Sequence, residues 1–121
     1  MNKINSYKDL IVWQKAMDLV EAVYDLTENL PSSEVYGITS QMRRAAVSIP
    51  SNIAEGQRRN SRKDYCQFVA IAFGSGAELE TQIEILRRLK LGKNLDYRKI
   101  EVLLNEVMRM LNRLLSSLKD H

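Results

Sequence analysis

The chain has 121 residues, of which 45% are hydrophobic and 27% are charged, and its formal net charge at pH 7 is +3. This length predicts one domain with one core, residues 1–121, and no apolar run approaches the roughly 20 residues that cross a bilayer. The single cysteine, Cys66, excludes an internal disulfide and a cysteine-rich zinc site, and we expect it to be buried. The polar N-terminus lacks the apolar region of a secretory signal, which predicts a soluble, cytoplasmic protein.

Apolar residues recur at three- and four-residue steps in four stretches, which predict helices at about residues 10–29, 38–57, 61–90 and 96–118. The predicted buried stripe of the first helix consists of Trp13, Met17, Val20, Tyr24 and Thr27. The fourth helix has the most regular seam: Tyr97, Ile100, Leu104, Val107, Leu111, Leu114 and Leu118. No stretch alternates with the period of a strand. Because the connections are short, we predict an all-α, antiparallel up-and-down four-helix bundle.

Three positions inside the third and second helices carry residues that disfavour a helix. Pro50 removes a backbone hydrogen bond and is expected to kink the second helix, at a cost of about 3 kcal/mol. Gly74 and Gly76 lie in the middle of the third helix, where glycine costs up to about 1 kcal/mol relative to alanine. They predict close approach by a neighbouring helix, from this chain or from another subunit. At the start of the third helix, Ser61 is expected to act as the N-cap, with Asp64 three residues on.

The sequence offers no combination of residues for catalysis. The only histidine, His121, is the last residue, so no catalytic dyad or triad that uses histidine can form inside the fold. The Glu-x-x-His pairs of di-iron bundles are absent for the same reason, and no glycine-rich phosphate loop is complete. We therefore expect no catalytic residues, no metal site, no cofactor and no enzymatic activity.

Five polar residues of the second helix share one arc beside its apolar face: Gln41, Arg44, Ser48, Asn52 and Glu55. When the second and third helices are folded back on each other, Ser75 and Glu78 lie near this polar stripe, and we expect an ion pair between Arg44 and Glu78. We interpret the stripe as a structural contact that fixes helix register or joins subunits. A substrate site is the alternative interpretation.

Antiparallel helices concentrate positive charge at one end of the predicted bundle. This end contains nine basic and four acidic residues, which gives a net charge of +5: Lys3, Lys8, Asp9, Lys15, Glu55, Arg58, Arg59, Arg62, Lys63, Asp64, Arg113, Lys119 and Asp120. Four of these form the turn between the second and third helices, and we name them the basic turn: Arg58, Arg59, Arg62 and Lys63. The basic turn is a candidate phosphate-binding site for RNA or DNA, against the alternative of solvated surface charge. Arg43 and Arg44 are further candidate nucleic-acid contacts.

Three stretches resemble the 23S rRNA intervening-sequence protein family: residues 10–16 (LIVWQKA), 36–56 (YGITSQMRRAAVSIPSNIAEG) and 74–80 (GSGAELE). Gly76 departs from the pattern, in which we expect alanine or a larger apolar residue. The resemblance implies a four-helix bundle that assembles into a ring-like homopentamer and has no enzymatic activity. It also implies genes inside 23S rRNA genes or elsewhere in bacterial genomes, and a similarity to nucleic-acid-binding accessory proteins of diversity-generating retroelements.

Two functions follow as hypotheses. The first is a non-enzymatic, oligomeric accessory or scaffold protein that contacts RNA or DNA through its basic surfaces. The second is a protein-binding oligomeric adaptor with no nucleic-acid role, which uses the polar stripe or the Gly74–Gly76 segment as its contact.

Overall fold

The computed structural model describes residues 6–119, so Lys3, Asp120 and His121 lie outside the described residues. Within this range the chain has four α-helices and no strand: α1 (Ile11–Thr27), α2 (Ile38–Gln57), α3 (Arg62–Arg88) and α4 (Arg98–Lys119). Short 3-10 turns lie at Tyr7–Asp9, Ser32–Glu34 and Lys90–Gly92. The prediction of an all-α chain with four helices is confirmed. None of the helices in residues 6–119 has the length and apolar character needed to cross a membrane.

Each helix packs against two others. α2 lies between α1 and α3, and α4 contacts α1 and α3 from the other side. All four helices contribute to a single core, whose largest fully buried side chains are Leu19, Val23, Met42, Ile49, Ile53, Val69, Leu79, Leu86, Val107 and Leu111. Burial of one such side chain contributes about 1.5–3 kcal/mol, so this core supplies most of the stabilising free energy of the bundle.

The predicted phase of α1 is wrong by one residue. Its buried stripe consists of Val12, Ala16, Leu19, Val23 and Leu26, together with Ala22 and Thr27. Of the predicted stripe, only Thr27 is buried; Trp13 and Val20 are half-buried, and Met17 and Tyr24 are exposed. The cause is that α1 carries two adjacent apolar stripes, and periodicity alone cannot decide which of the two faces the core.

The two mid-helix glycines of α3 have opposite environments. A Cβ atom added to Gly76 would lie 2.2 Å from Sδ of Met108, so Gly76 makes room for a side chain of α4. A neighbouring helix therefore approaches Gly76, but through the side chain of Met108 and not through its backbone, as the prediction of close backbone approach required. At Gly74 an added Cβ would meet no atom within 4 Å, so the prediction is wrong for that residue within this chain. Pro50 lies fully inside α2 and is buried.

α2 and α3 approach each other most closely near their connection. A Cβ atom on Gly56 would lie 2.8 Å from Cβ of Phe68 and 3.1 Å from Cδ1 of Tyr65. Ser61 caps α3 as predicted, since its Oγ accepts a hydrogen bond from the amide of Asp64 at 3.0 Å. Cys66, one turn further along α3, is half-buried at the edge of the core, and not fully buried as predicted.

The connection between α3 and α4 depends on Gly92. An added Cβ would lie 2.3 Å from the carbonyl oxygen of Leu86, and the Tyr97 hydroxyl donates a 2.6 Å hydrogen bond to the Gly92 carbonyl. Replacing Gly92 with alanine is therefore expected to lower the free energy of unfolding by about 1–3 kcal/mol, because backbone must move. Urea unfolding followed by circular dichroism measures the change. Asn94→Ala, an exposed change in the same connection, is the control, and equal midpoints for the two variants would contradict the prediction.

Candidate nucleic-acid interface

The basic turn lies where α2 ends at Gln57 and α3 begins at Arg62. All four of its cationic side chains are exposed. The turn is short because Arg58 and Arg59 close the end of α2 with backbone hydrogen bonds to Ala54 and Gly56, while Ser61 already caps α3. The predicted grouping of the four residues is therefore present in the fold.

Aromatic rings support two of these arginines. The guanidinium of Arg58 lies over the ring of Tyr7, with its carbon 5.4 Å from the ring centroid. Tyr7 in turn makes an edge-on contact with Trp13, at 5.4 Å between centroids and 64° between planes. Arg59 lies 4.8 Å from the centroid of Phe68. A cation held over a ring gains about 0.5–1 kcal/mol at an exposed site, so these contacts restrict where the guanidinium groups point.

The polar contacts of the turn differ from residue to residue. Arg62 donates from Nη1 to the carbonyl oxygen of Ser117 at 3.2 Å, which places the end of α4 beside the turn. Arg59 also forms an ion pair with Glu55 at 3.0 Å. The side chain of Lys63 makes no hydrogen bond or ion pair within residues 6–119. Of the four residues of the turn, only Arg59 therefore has a carboxylate partner among the described residues.

The sequence prediction assigns thirteen charged residues to the end of the bundle that contains the turn. Eight basic and three acidic ones of these lie in the described range, which gives a net charge of +5. Lys15 is an exception to the pattern, because it forms a 2.8 Å ion pair with Glu106 of α4. The hydrogen bond to that carboxylate raises the pKa of Lys15.

Arg43 and Arg44 lie near the start of α2, about 22 Å from the basic turn at the rise of an α-helix. Arg43 donates from Nε to Oγ1 of Thr27 at 2.9 Å and lies 4.3 Å from the ring centroid of Tyr24. It therefore ties α2 to α1. The structure does not bring these two arginines together with the basic turn.

The polar stripe divides into two parts. Oγ of Ser48 lies 2.7 Å from Oγ of Ser75, and Asn52 donates from Nδ2 to the carbonyl and the Oγ of Ser48 at 2.8 and 2.9 Å. This cluster is half-buried between α2 and α3 and fixes their register. Glu55, at the other end of the stripe, belongs to the ion pair with Arg59.

The predicted ion pair between Arg44 and Glu78 is absent from the ion pairs of residues 6–119. Both residues line one depression between α2 and α3, together with Gln41, Ser48 and Ser75. Arg44 and Glu78 are both exposed, and an exposed pair gains little over two separately solvated charges, so proximity does not enforce contact. The depression is an open, polar surface.

Sequence reasoning missed the residues that support the basic turn. Tyr7 precedes α1, and nothing in its spacing links it to Arg58. Phe68 is an apolar residue whose spacing in α3 is typical of a core position, and the carbonyl of Ser117 has no sequence signal at all. Within residues 6–119, no group of three or more histidine, cysteine, aspartate or glutamate residues is arranged to hold a metal ion.

Residues 8–113 match the sequence profile of the family described as 23S rRNA-intervening sequence protein. The chain therefore belongs to this family. A search of curated proteins found no match. Among solved structures, a protein of unknown function from the S23 ribosomal protein family of Bacteroides thetaiotaomicron is 23% identical, with a TM-score of 0.70. The alignment covers 90% of this chain and 99% of that protein, so the two share a fold.

The contact between Ser48 and Ser75 provides a test of the structural role of the stripe. We expect a double-mutant cycle of Ser48→Ala and Ser75→Ala to give a coupling energy of about 0.5–1.5 kcal/mol, because each single change removes the partner of the other hydroxyl. Urea unfolding of the four proteins measures it. A parallel cycle of Arg44→Ala and Glu78→Ala is expected to show no coupling, and equal coupling in both cycles would contradict this account.

Proposed function

We propose that this protein is a non-enzymatic, oligomeric accessory or scaffold protein that binds RNA or DNA through the basic turn. The observation that carries the proposal is the exposure of four cationic side chains within six residues, Arg58, Arg59, Arg62 and Lys63, at the end of the bundle that has a net charge of +5. We further propose a cytoplasmic location and a function that requires no cofactor.

Phosphate groups are the ligand that best fits this surface. Guanidinium groups donate several hydrogen bonds in a fixed plane, and lysine adds a mobile point charge, so the basic turn combines both means of binding phosphate. Each neutralised phosphate releases counterions, which makes the affinity depend on salt and not on sequence. The membership in a family named for a ribosomal RNA insertion agrees with an RNA ligand.

Assembly into a ring, with a pentamer expected from the family resemblance, is the second part of the proposal. We take the bundle as antiparallel and up-and-down, so that the basic turn lies at one end of every subunit. A depression between α1 and α2 supports self-association, since it is lined by apolar residues that the bundle leaves exposed: Tyr24, Val35, Tyr36 and Val47. Tyr36 is 96% exposed, which is unusual for a large aromatic side chain outside an interface.

The outer face of α3 is the proposed partner surface. Ala70, Gly74 and Ala77 follow one another at steps of four and three residues and are exposed, so they form a flat stripe. Ile71 and Ile85 are exposed on the same helix. The depression on α1 and α2 and the stripe on α3 are different surfaces, so a contact between them joins copies head to tail, and repeated contacts of this kind can close into a ring.

Replacing the four residues of the basic turn with glutamine is expected to weaken binding to a structured RNA fragment at least tenfold at low salt. The slope of log K against log salt is expected to fall by about 3, because four phosphate contacts are lost. Fluorescence anisotropy across a salt series measures both quantities. Circular dichroism checks that the bundle remains folded.

The matched control replaces Arg88, Lys90, Lys93 and Lys99, which removes the same charge from other exposed positions. Each quartet includes one arginine of an i,i+4 ion pair, Glu55–Arg59 in the first and Glu84–Arg88 in the second. Unchanged binding by the basic-turn variant, or equal loss in both variants, would disprove the assignment of the site. The adaptor hypothesis would then be favoured, with the polar stripe or the Gly74–Gly76 segment as its contact.

A charge placed in the depression between α1 and α2 is expected to prevent assembly. Light scattering is expected to give a multiple of 13.9 kDa for the unaltered protein and 13.9 kDa for the double variant Tyr36→Glu, Val47→Glu. The reason is that a buried, unpaired carboxylate costs several kcal/mol at an interface. Ile11→Glu with Val102→Glu adds the same charge at exposed apolar positions outside the depression. Dissociation by this control alone would contradict the proposed interface.

A further inference from the structure

Four arginines of the described chain lie over aromatic rings, and three of them have a second, polar partner. Arg43 donates to Thr27, Arg59 pairs with Glu55, and Arg87 pairs with Glu101. In each case the polar partner and the ring together account for the position of the guanidinium.

Arg58 is the exception among residues 6–119. Its guanidinium carbon lies 5.4 Å from the centroid of the Tyr7 ring, the residue is exposed, and its side chain has no hydrogen-bond or ion-pair partner in this range. Its donor groups therefore have no protein acceptor among the described residues. An exposed guanidinium next to an aromatic ring, with unused donors, is a surface on which a further planar group can stack.

The surroundings of Arg58 identify the class of planar group. Trp13 makes an edge-on contact with Tyr7, and both rings are half-buried, so packing holds the ring that lies under Arg58. Lys63 belongs to the same turn and supplies a charge with no carboxylate partner among the described residues. A planar ring next to a negative charge is the chemistry of a nucleotide.

Duplexes cannot use this arrangement, because their bases are stacked on one another and present only their edges in the grooves. Unpaired nucleotides expose the faces of their bases, and these stack on aromatic rings and on arginine planes. The positive charge of the basic turn alone would bind both duplexes and unpaired nucleotides.

We propose that the basic turn binds unpaired nucleotides, with a base stacked on the Arg58 guanidinium over Tyr7 and flanking phosphates held by Arg62 and Lys63. This inference rests on the proposed nucleic-acid function and specifies its substrate class. Single-stranded loops or ends of a larger RNA are therefore bound in preference to its helices.

The test compares three probes in fluorescence anisotropy: oligouridine, an abasic ribose-phosphate chain of the same length, and the duplex of oligouridine with oligoadenosine. Oligouridine is expected to bind at least about fivefold more tightly than the abasic chain, since stacking of one base on an aromatic or arginine surface has this magnitude. The fluorescence of Trp13, the only tryptophan, is expected to change with oligouridine and not with the abasic chain.

Two variants separate stacking from charge. Arg58→Lys keeps the charge and removes the planar group, so it is expected to remove the preference for oligouridine while the salt dependence remains. Tyr7→Leu, which removes the ring, is expected to have the same effect. The matched control is Arg87→Lys, the same change at an exposed arginine that also lies over an aromatic ring, Tyr97, but outside the basic turn, and it is expected to retain the preference.

Two results would overturn the inference. Equal binding of oligouridine and the abasic chain by the unaltered protein would show that the turn binds phosphate only. A preference that survives both Arg58→Lys and Tyr7→Leu would show that the bases contact another part of the protein. In both cases the proposed function would stand. Absence of binding to all three probes would overturn the proposed function together with the inference.

Discussion

The close approach of α2 to α3 is the constraint on which the rest of the structure depends. Gly56 leaves no room for a side chain against Phe68, and the hydroxyl groups of Ser48 and Ser75 meet at 2.7 Å, so both contacts depend on the register of the two helices. The connection between the helices is short and consists of the basic turn and the Ser61 cap. Four cationic side chains are crowded there because they are neighbours in the sequence, and the rings of Tyr7 and Phe68 offset part of their repulsion.

Helix number and class could be predicted from the sequence because four apolar stripes, separated by short polar connections, leave few other solutions. The heptad seam of α4 shows why: Tyr97, Ile100, Leu104, Val107 and Leu111 are all buried, and Leu114 and Leu118 at its end are half-buried. The phase of α1 could not be predicted, because Val12 and Trp13 begin two equally apolar stripes. The bundle has room for only one of them, and α1 therefore keeps apolar side chains at its surface.

The candidate site was predictable in part, for a related reason. Charge grouping depends on sequence neighbours, so the exposed basic turn follows from its spacing. Its supports depend on contacts between distant segments, and neither Tyr7 nor the carbonyl of Ser117 carries a local signal. The wrong prediction of an ion pair between Arg44 and Glu78 has another cause, because nearness of two exposed charges does not determine whether they pair. The sequence also does not distinguish Gly74 from Gly76. Only the structure shows that Met108 lies against Gly76 and that no atom lies near Gly74.

A single basic turn makes few phosphate contacts, and sequence-independent binding by few contacts is weak at physiological salt. The proposed assembly would change this, because copies joined in a ring would present several basic turns to one nucleic acid, and each later contact would form at a high effective concentration. The basic turn connects the ends of α2 and α3, where a subunit packed against the sides of the helices would not cover it. The exposed apolar residues on α1 and α2 and the exposed Arg58 over Tyr7 therefore belong to one proposal: the first would form the assembly, and the assembly would give the second a useful affinity.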